Sequence, residues 1–314
     1  MIMENSQKKE LNIFVSVIVC TYNQEQYIAQ TLDSILMQQC NFDIEVLVGE
    51  DCGTDNTRRI CAEYAQKYPQ VKLIDRPHNL GKQRNFFDAL CQARGKYISM
   101  CDGDDYWQDV QMLQKEVSYL ENHPECVIVY HDSIMVDRQG NVISETEVGT
   151  HNKRDFSSEE LVKGVDISNR TICFRNIVDF SKIDTSLAYN EDMFVYAVIG
   201  QYGSGHYIDG LKPSVYRVLD GSIWSTMSEI KQIWLKFGTI KALQKYYGTD
   251  KTDWKYKHYI DLYYQNCDRI LYKSIQNNEK TYLWKVFLLN VKSFGRKGYI
   301  KSVLYYVKCI LKKK

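Results

Sequence analysis

Short β-rich runs alternate with amphipathic helical runs through about residue 137, and no other feature of this 314-residue chain restricts its fold as tightly. Phe14 to Cys20 reads as a strand bounded by Thr21-Tyr22-Asn23, and the stretch from Gln26 to Met37 then sets Ile28, Leu32, Ile35 and Leu36 on one helical face. Ile44 to Val48 is a second strand, Thr57 to Tyr68 a helix stopped by Pro69, and Val71 to Ile74 a third strand. A loop from Arg76 to Gly81 opens a helix that reaches Ala93 and ends at Gly95. Lys96 to Cys101 is the fourth strand, Val110 to Leu120 a helix, and Val127 to Tyr130 the fifth strand. Strand, helix and strand repeated in this way predict an α/β fold, a mostly parallel sheet sandwiched by helices. In such sheets ligands bind beyond the carboxyl ends of the strands. Three polar clusters are expected there: Thr21 to Asn23, Glu50 to Asp55, and Asp102 to Asp105.

The last cluster, Asp102-Gly103-Asp104-Asp105, follows directly on the fourth strand. Carboxylates spaced two apart leave a strand end on the same side, and with glycine between them they can chelate one divalent cation against a diphosphate. Taken alone, the same residues also describe a solvated acidic turn. Beyond it, Gly140 to Lys163 is polar and irregular, the pattern of a mobile loop or an inserted hairpin. Residues 168–217 read as short strands flanking one helix that begins near Asn190. From Ile230 the pattern is helical and rich in Tyr, Trp and Lys, so the expected organisation is a domain over 1–229 and a basic, aromatic-rich helical region over 230–314.

Composition narrows the function classes. An apolar content of 44% suffices for a sizeable core. The 10 cysteines contain no Cys-x-x-Cys pair, which points to buried thiols in a reducing compartment rather than to zinc or disulfides. The amino terminus, Met1 to Asn12, has no hydrophobic signal core, and no long uninterrupted apolar run exists, so the chain is expected to stay cytoplasmic. A net charge of +1 conceals an asymmetry: residues 230–314 hold 19 of the 40 basic residues but 5 of the 39 acidic ones.

Taken in order, these segments resemble the family 2 glycosyltransferases of the GT-A fold. The matching text is Val17-Ile18-Val19-Cys20-Thr21-Tyr22-Asn23, then Glu50-Asp51-Cys52-Gly53-Thr54-Asp55-Asn56-Thr57, then Asn79-x-Gly81-x-x-Arg84-Asn85. Gly95-Lys96-Tyr97-Ile98 leading to Asp102-Gly103-Asp104-Asp105, and Glu191-Asp192, complete a resemblance that covers about residues 13–226. It implies a GT-A-type sheet followed by a helical C-terminal extension. It also implies an inverting, metal-dependent glycosyltransferase that moves a sugar from a nucleotide-diphosphate donor, a UDP-sugar being favoured, to a carbohydrate hydroxyl in cell-surface polysaccharide synthesis.

The resemblance carries roles residue by residue. Thr21 and Tyr22 line the nucleotide pocket, and Asp51 accepts the imide proton of a uracil-type base. Arg84, in the first turns of its helix, meets the base or a phosphate. Asp102 holds the ribose or the water shell of the metal, and Asp104 coordinates Mn2+ or Mg2+ bridging the donor phosphates. Asp105 caps the next helix or supports the loop, and Trp107 either shields the sugar or belongs to the core. Asp192 is the catalytic base, against the alternative of an acidic pair that merely stabilises a helix start.

Two departures from the family pattern stand out. Glu50 replaces the first of a usual pair of aspartates, and Leu219 stands after Tyr216-Arg217-Val218 where many members carry histidine, which leaves His206 as either a substitute metal ligand or a structural histidine. They keep open a non-catalytic member that binds sugar nucleotide or membrane as an assembly factor. A sugar-phosphate nucleotidyltransferase is a further rival, but it should carry a Gly-rich phosphate loop where this chain has Thr21-Tyr22-Asn23-Gln24-Glu25. At the tail, Ile300, Val303, Leu304, Val307, Ile310 and Leu311 form one apolar helical face among lysines, with Trp284, Phe287 and Phe294 nearby. Such a helix either lies on an anionic membrane, placing the protein peripherally on the inner face beside a glycan or lipid-linked glycan acceptor, or packs on the catalytic domain. No nucleic-acid-binding module accompanies the charge.

Overall fold

The computed structural model describes residues 13–147, 149–219 and 227–277, together with 281, 282, 284–286, 288 and 304. Residues 1–12, Ser222 to Ser225, Phe287, Phe294 and all of the expected apolar tail face except Leu304 lie outside them.

β1 (Ile13–Thr21) is buried on both faces. Val15, Val17 and Val19 join one core layer, while Ser16 and Ile18, with the opposite parity, face the other way. Such continuous burial is what a central strand of a sheet covered on both sides requires. α1 (Ile28–Leu36), β2 (Asp43–Glu50), α2 (Thr57–Lys67), β3 (Val71–Leu73), α3 (Lys82–Cys91), β4 (Tyr97–Met100), α4 (Met112–Asn122) and β5 (Cys126–Tyr130) follow in strict alternation, within a few residues of the expected bounds. Ile28, Leu32 and Ile35 of α1 share one core layer with Leu113 and Val117 of α4. α3, with Phe86, Phe87 and Leu90 buried, packs on β1 and β2 from outside that cluster.

The polar stretch after β5 contains a hairpin, β6 (Ser133–Val136) and β7 (Val142–Ser144), then α5 (Ser158–Lys163), which opens on a Ser157–Glu160 capping box. β8 (Ile172–Arg175), α6 (Glu191–Gly200), β9 (Ser204–Tyr207), β10 (Ser214–Arg217), α7 (Glu229–Tyr246) and α8 (Trp254–Gln276) complete the described elements. The main sheet has seven strands in the order β3-β2-β1-β4-β8-β5-β9. All its pairings are parallel except those of β8, which runs antiparallel between β4 and β5. β10, β6 and β7 form a second, three-stranded sheet. The mostly parallel sheet flanked by helices, with helices at the C-terminal end, is the expected α/β architecture.

The chain divides into two compact units, Met1–Lys182 with Val195–Asp220, and Ile183–Phe194 with Gly221–Lys314. The first holds both sheets. In the second, α7 and α8 lie against each other in opposite directions: Phe237 meets Tyr263 with ring centroids 4.9 Å apart, and Tyr247 stacks on Tyr259 at 5.7 Å. α8 buries Tyr259, Tyr263, Cys267, Ile270 and Leu271, the three-and-four spacing of a helix with one apolar stripe. No helix among the described residues is long and apolar enough to cross a membrane.

Candidate active site

The adjacent parallel strands β2, β1 and β4 end in turns that lock onto one another. After β1, Asn23 has φ +53°, and after β2, Cys52 has φ +56°, a left-handed conformation uncommon for cysteine. The two turns interlock: the Asn23 Oδ1 accepts the Thr54 backbone N–H at 2.7 Å, and the Asp55 carboxylate accepts the Glu25 N–H at 3.0 Å. Asp55 also accepts from Thr57 N–H and Oγ1, at 2.9 and 2.6 Å, and so ties the two turns together at the start of α2. Glu50 is wholly buried and accepts the Gly53 N–H at 2.6 Å, with Arg58 at 3.5 Å. The longer acid in the place of aspartate therefore folds back to close its own turn.

The acidic turn leaves β4 and rests on the end of β1. Gly103 donates its N–H to the Cys20 carbonyl at 2.9 Å. A Cβ at position 103 would lie 2.5 Å from Thr21 Oγ1 and 2.6 Å from Gln24 Oε1, so only glycine lets this turn sit where it does. Thr21, itself buried, donates to Gln24 Oε1 at 2.7 Å. Tyr22, by contrast, is 45% exposed beside it.

Asp102 and Asp104 flank Gly103 and are both partly exposed, while Asp105 is buried. Burial, with the Asp102 charge next to it, raises the Asp104 carboxyl from its usual range to about 6. Asp105 has its carboxylate held by protein donors. Its Oδ2 accepts Arg170 Nε at 2.5 Å, its Oδ1 the Arg217 N–H at 3.0 Å, and its carbonyl the Thr31 hydroxyl at 2.7 Å. Of the two expected roles, supporting the loop is the one observed; the α4 end is served instead by Asp109, which accepts the Gln111 N–H at 2.9 Å. Trp107 belongs to the core, its indole N–H donated to the Arg170 carbonyl at 2.9 Å.

Three residues hold this turn: Asn169 and Arg170, which sequence reasoning passed over, and Arg217 of the Tyr216-Arg217-Val218 segment, whose part in bracing the turn it did not foresee. Because β8 is antiparallel, its amino end lies beside the carboxyl end of β4 and delivers Asn169 and Arg170 to the acidic turn. Asn169 Nδ2 donates to Asp102 Oδ2 at 3.2 Å. Arg170 also donates to Glu147 and Ser168, each at 2.5 Å, and its guanidinium lies 4.1 Å from the centre of the Tyr216 ring. From β10, Arg217 donates Nε to the Asp104 carbonyl at 3.1 Å and Nη2 to Gln30 at 2.9 Å. The one available signal was an isolated arginine entering the apolar run Ile172-Cys173-Phe174.

The remaining candidates are placed as follows. Asp51 is buried; its N–H donates to the Thr21 carbonyl at 3.0 Å, and its two carboxylate oxygens accept the N–H groups of Leu80 at 2.7 Å and Gly81 at 2.8 Å. In this structure it therefore anchors the loop that opens α3. Arg84 is exposed on α3, while its neighbour Asn85 is buried, donating to the Gly49 carbonyl at 2.7 Å and accepting Arg76 Nε at 3.0 Å. Asn85 thus fastens α3 to β2. His206 stacks on Tyr119 at 3.9 Å and pairs with Asp155 at 2.8 Å. Asp192 lies in the second compact unit, in the first turn of α6, its Oδ1 accepting the Met193 N–H at 2.7 Å. Leu219 is partly exposed, two residues beyond β10.

No cluster of three or more His, Cys, Asp or Glu able to hold a metal occurs among the described residues. Two carboxylates on one turn nevertheless suit a hard cation such as Mg2+ or Mn2+, which takes one or two protein carboxylates and completes its shell with phosphate and water.

A mostly parallel sheet whose strand ends gather around an Asp-x-Asp turn defines the GT-A class. Residues 16–179 match the profile of glycosyl transferase family 2, more than half of the chain, and the chain belongs to that family. An uncharacterized protein of Mycobacterium tuberculosis is 36% identical over 174 residues, 55% of this chain and 50% of that protein. The chain thus spans about half the length of the first curated relatives it matches. Among solved structures, S. aureus TarS residues 1–349 in complex with UDP-GlcNAc aligns with a TM-score of 0.53 at 18% identity, covering 95% of this chain and 90% of that one. The mannosyltransferase PcManGT of Pyrobaculum calidifontis, in complex with GDP-Man and Mn2+, aligns with a TM-score of 0.52 at 17% identity, covering 97% and 90%. These two likenesses bear on the fold.

Proposed function

We propose that this chain is an inverting glycosyltransferase that moves a sugar from a nucleotide-diphosphate donor, a UDP-sugar first among them, to a hydroxyl of a glycan or lipid-linked glycan in polysaccharide synthesis. The observation that carries the reading is the seating of Asp102-Gly103-Asp104 on the end of β1, with both flanking carboxylates partly exposed. The sugar nucleotides bound to both structural neighbours, and the Mn2+ bound to one, support the same reading.

On this reading Asp104, with Asp102, holds Mn2+ or Mg2+, and a bound cation supplies Lewis-acid stabilisation of the departing nucleoside diphosphate. Tyr22 offers an exposed ring to the base, Thr21 shapes the wall behind it, and Asp51 sets the loop from which Arg84 approaches. Asp192 accepts the proton of the acceptor hydroxyl as its oxygen bonds to the anomeric carbon and the bond to the diphosphate breaks, which inverts that carbon. The basic C-terminal region, with Trp284, Leu288 and Leu304 exposed, meets the anionic inner face of the membrane, where a lipid-linked acceptor is presented from the cytoplasm.

Thermal melting with UDP, GDP and dTDP, with and without Mn2+, tests the donor site. A nucleotide at 100 times its Kd adds about 2.7 kcal/mol, a rise of several degrees. Asp104→Ala is expected to abolish the Mn2+-dependent part of that rise. With a donor panel, Asp192→Asn should keep nucleotide binding while slowing diphosphate release by roughly 100-fold or more. A wild-type melt unmoved by every nucleotide in the presence of Mn2+ would refute the reading.

A further inference from the structure

Glu147 lies three residues beyond β7, and its backbone N–H donates to the Ser133 carbonyl at 2.6 Å, which sets it beside the start of β6. Its Oε2 accepts three donors: Arg170 Nη1 at 2.5 Å, Ser168 Oγ at 2.9 Å and the Ser133 hydroxyl. Arg170 is therefore a buried guanidinium shared by two carboxylates, Asp105 on Nε at 2.5 Å and Glu147 on Nη1. Nη1 carries two hydrogens, and Glu147 and Ser168 account for both. The Tyr216 ring covers one face of the guanidinium at 4.1 Å. One carboxylate would balance this arginine; the second leaves the group of three with one negative charge in excess.

The excess matters because of where the guanidinium stands. Asp105 directly follows Asp104, and the Arg170 charge acts on both. Asn169, the residue before Arg170, donates to Asp102 at 3.2 Å, so the same short segment reaches each end of the acidic turn. A guanidinium fork suits any nearby carboxylate, and the partly exposed Asp102 and Asp104 are the two that a divalent cation requires. An arginine tied to Asp105 alone could turn Nη1 toward them and compete with the metal as a fixed cation. Glu147 and Ser168 close that course by engaging both Nη1 hydrogens, and the Glu147 charge offsets that of the guanidinium.

We propose that Glu147 is a positioning residue for the cation site: it holds Arg170 on Asp105 and off Asp102 and Asp104, so that the turn is braced by an arginine that does not displace the metal. The inference rests on the transfer reading, which assigns the cation to that turn, and deepens it by naming a residue more than forty positions away in the chain on which cation affinity depends. Removing a group that acts on metal ligands through their neighbours typically weakens metal binding by roughly 10- to 100-fold. A purely structural ion pair would instead lower the melting temperature and leave metal affinity where it was.

Mn2+ binding to the full chain, followed by the paramagnetic resonance signal of the free ion with and without UDP, tests the proposal. Wild type is expected to take up Mn2+, and Glu147→Gln, which keeps size and an acceptor oxygen but drops the charge, to bind it at least about tenfold more weakly. Glu145→Gln, the same charge change at an exposed position of the same stretch, should bind as wild type. Thermal melts establish that each variant is folded. Should Glu147→Gln not fold, Arg170→Lys, whose single ammonium cannot reproduce the fork between two carboxylates, replaces it with the same expectation. Wild-type uptake left unchanged in the folded Glu147→Gln protein, or an equal loss in Glu145→Gln, would overturn this proposal and leave the transfer reading standing. A wild type that takes up no Mn2+ even with UDP would remove the cation site itself, and this proposal with it.

Discussion

At the scale of single residues, one heavily bonded carboxylate lies away from the strand-end cluster. Glu45 is buried on β2 and accepts from Ser16 at 2.7 Å, Lys72 at 2.7 Å, and Arg94 through its N–H at 3.0 Å and Nη2 at 2.8 Å. Burial alone would raise its carboxyl, but the hydrogen bonds from Arg94, Lys72 and Ser16 outweigh it and hold the group at about 2, below its ordinary 4.5. A depressed folded-state pKa stabilises the protein above the unfolded value, and the gain disappears as pH falls from about 4.5 toward 2. Glu45→Gln is therefore expected to lose about 2 kcal/mol at neutral pH and to flatten the acid limb of a stability-against-pH curve measured by urea unfolding. Gly103 makes a second residue-level case. Gly103→Ala must displace Thr21 or Gln24, which costs roughly 1–3 kcal/mol, and its main expected effect is weaker Mn2+-dependent nucleotide binding in the melting assay.

At the scale of elements, α4, the end of β5 and the start of β10 meet in a buried polar chain. His131 bridges Glu116 at 2.9 Å and Ser214 at 2.8 Å, and all three side chains are buried. Burial pushes the Glu116 carboxyl up, so its tolerance of the site depends on this partner. His131→Ala is expected to cost about 2–4 kcal/mol in chemical denaturation, and much less in a Glu116→Gln background, because the loss lies in a stranded buried acid. The same elements show what the sequence could disclose. β1 to β5 were legible because each apolar run is bounded by turn residues and followed by a helical period. The four residues of β8 carry no mark of direction, and only its reversal brings Asn169 and Arg170 to the acidic turn. The Asp-x-Asp spacing after β4 marked Asp102 and Asp104 as candidates only when joined to the family resemblance, whereas the arginines that brace the turn depend on pairings more than sixty residues apart. The carboxylate of Asp51 was legible as a strand-end group, but its bonds to Leu80 and Gly81 follow from a loop whose path the sequence does not spell out.

At the scale of the whole molecule, neither compact unit is one continuous stretch. Residues 183–194 belong with the C-terminal helices, and the chain returns to the first unit from 195 to 220. A fragment ending at Leu219 would retain Ala188 and Asn190 without α7, which supplies the Thr239 partner. It is expected to melt at lower temperature than the full chain and to bind a hydrophobic dye, whereas the intact protein should resist both; equal melting points would show that the helices are dispensable.

The reversed β8 has one more consequence, for the order in which the protein comes together during synthesis. β2, β3 and β4 can register as they leave the ribosome, since each finds a neighbour, β1 or β2, already made. β5 cannot, because both of its partners, β8 and β9, are translated after it. The nascent chain therefore carries an apolar strand, Cys126–Tyr130, without its mates for some forty residues of elongation, and that interval is where a chaperone has most to protect.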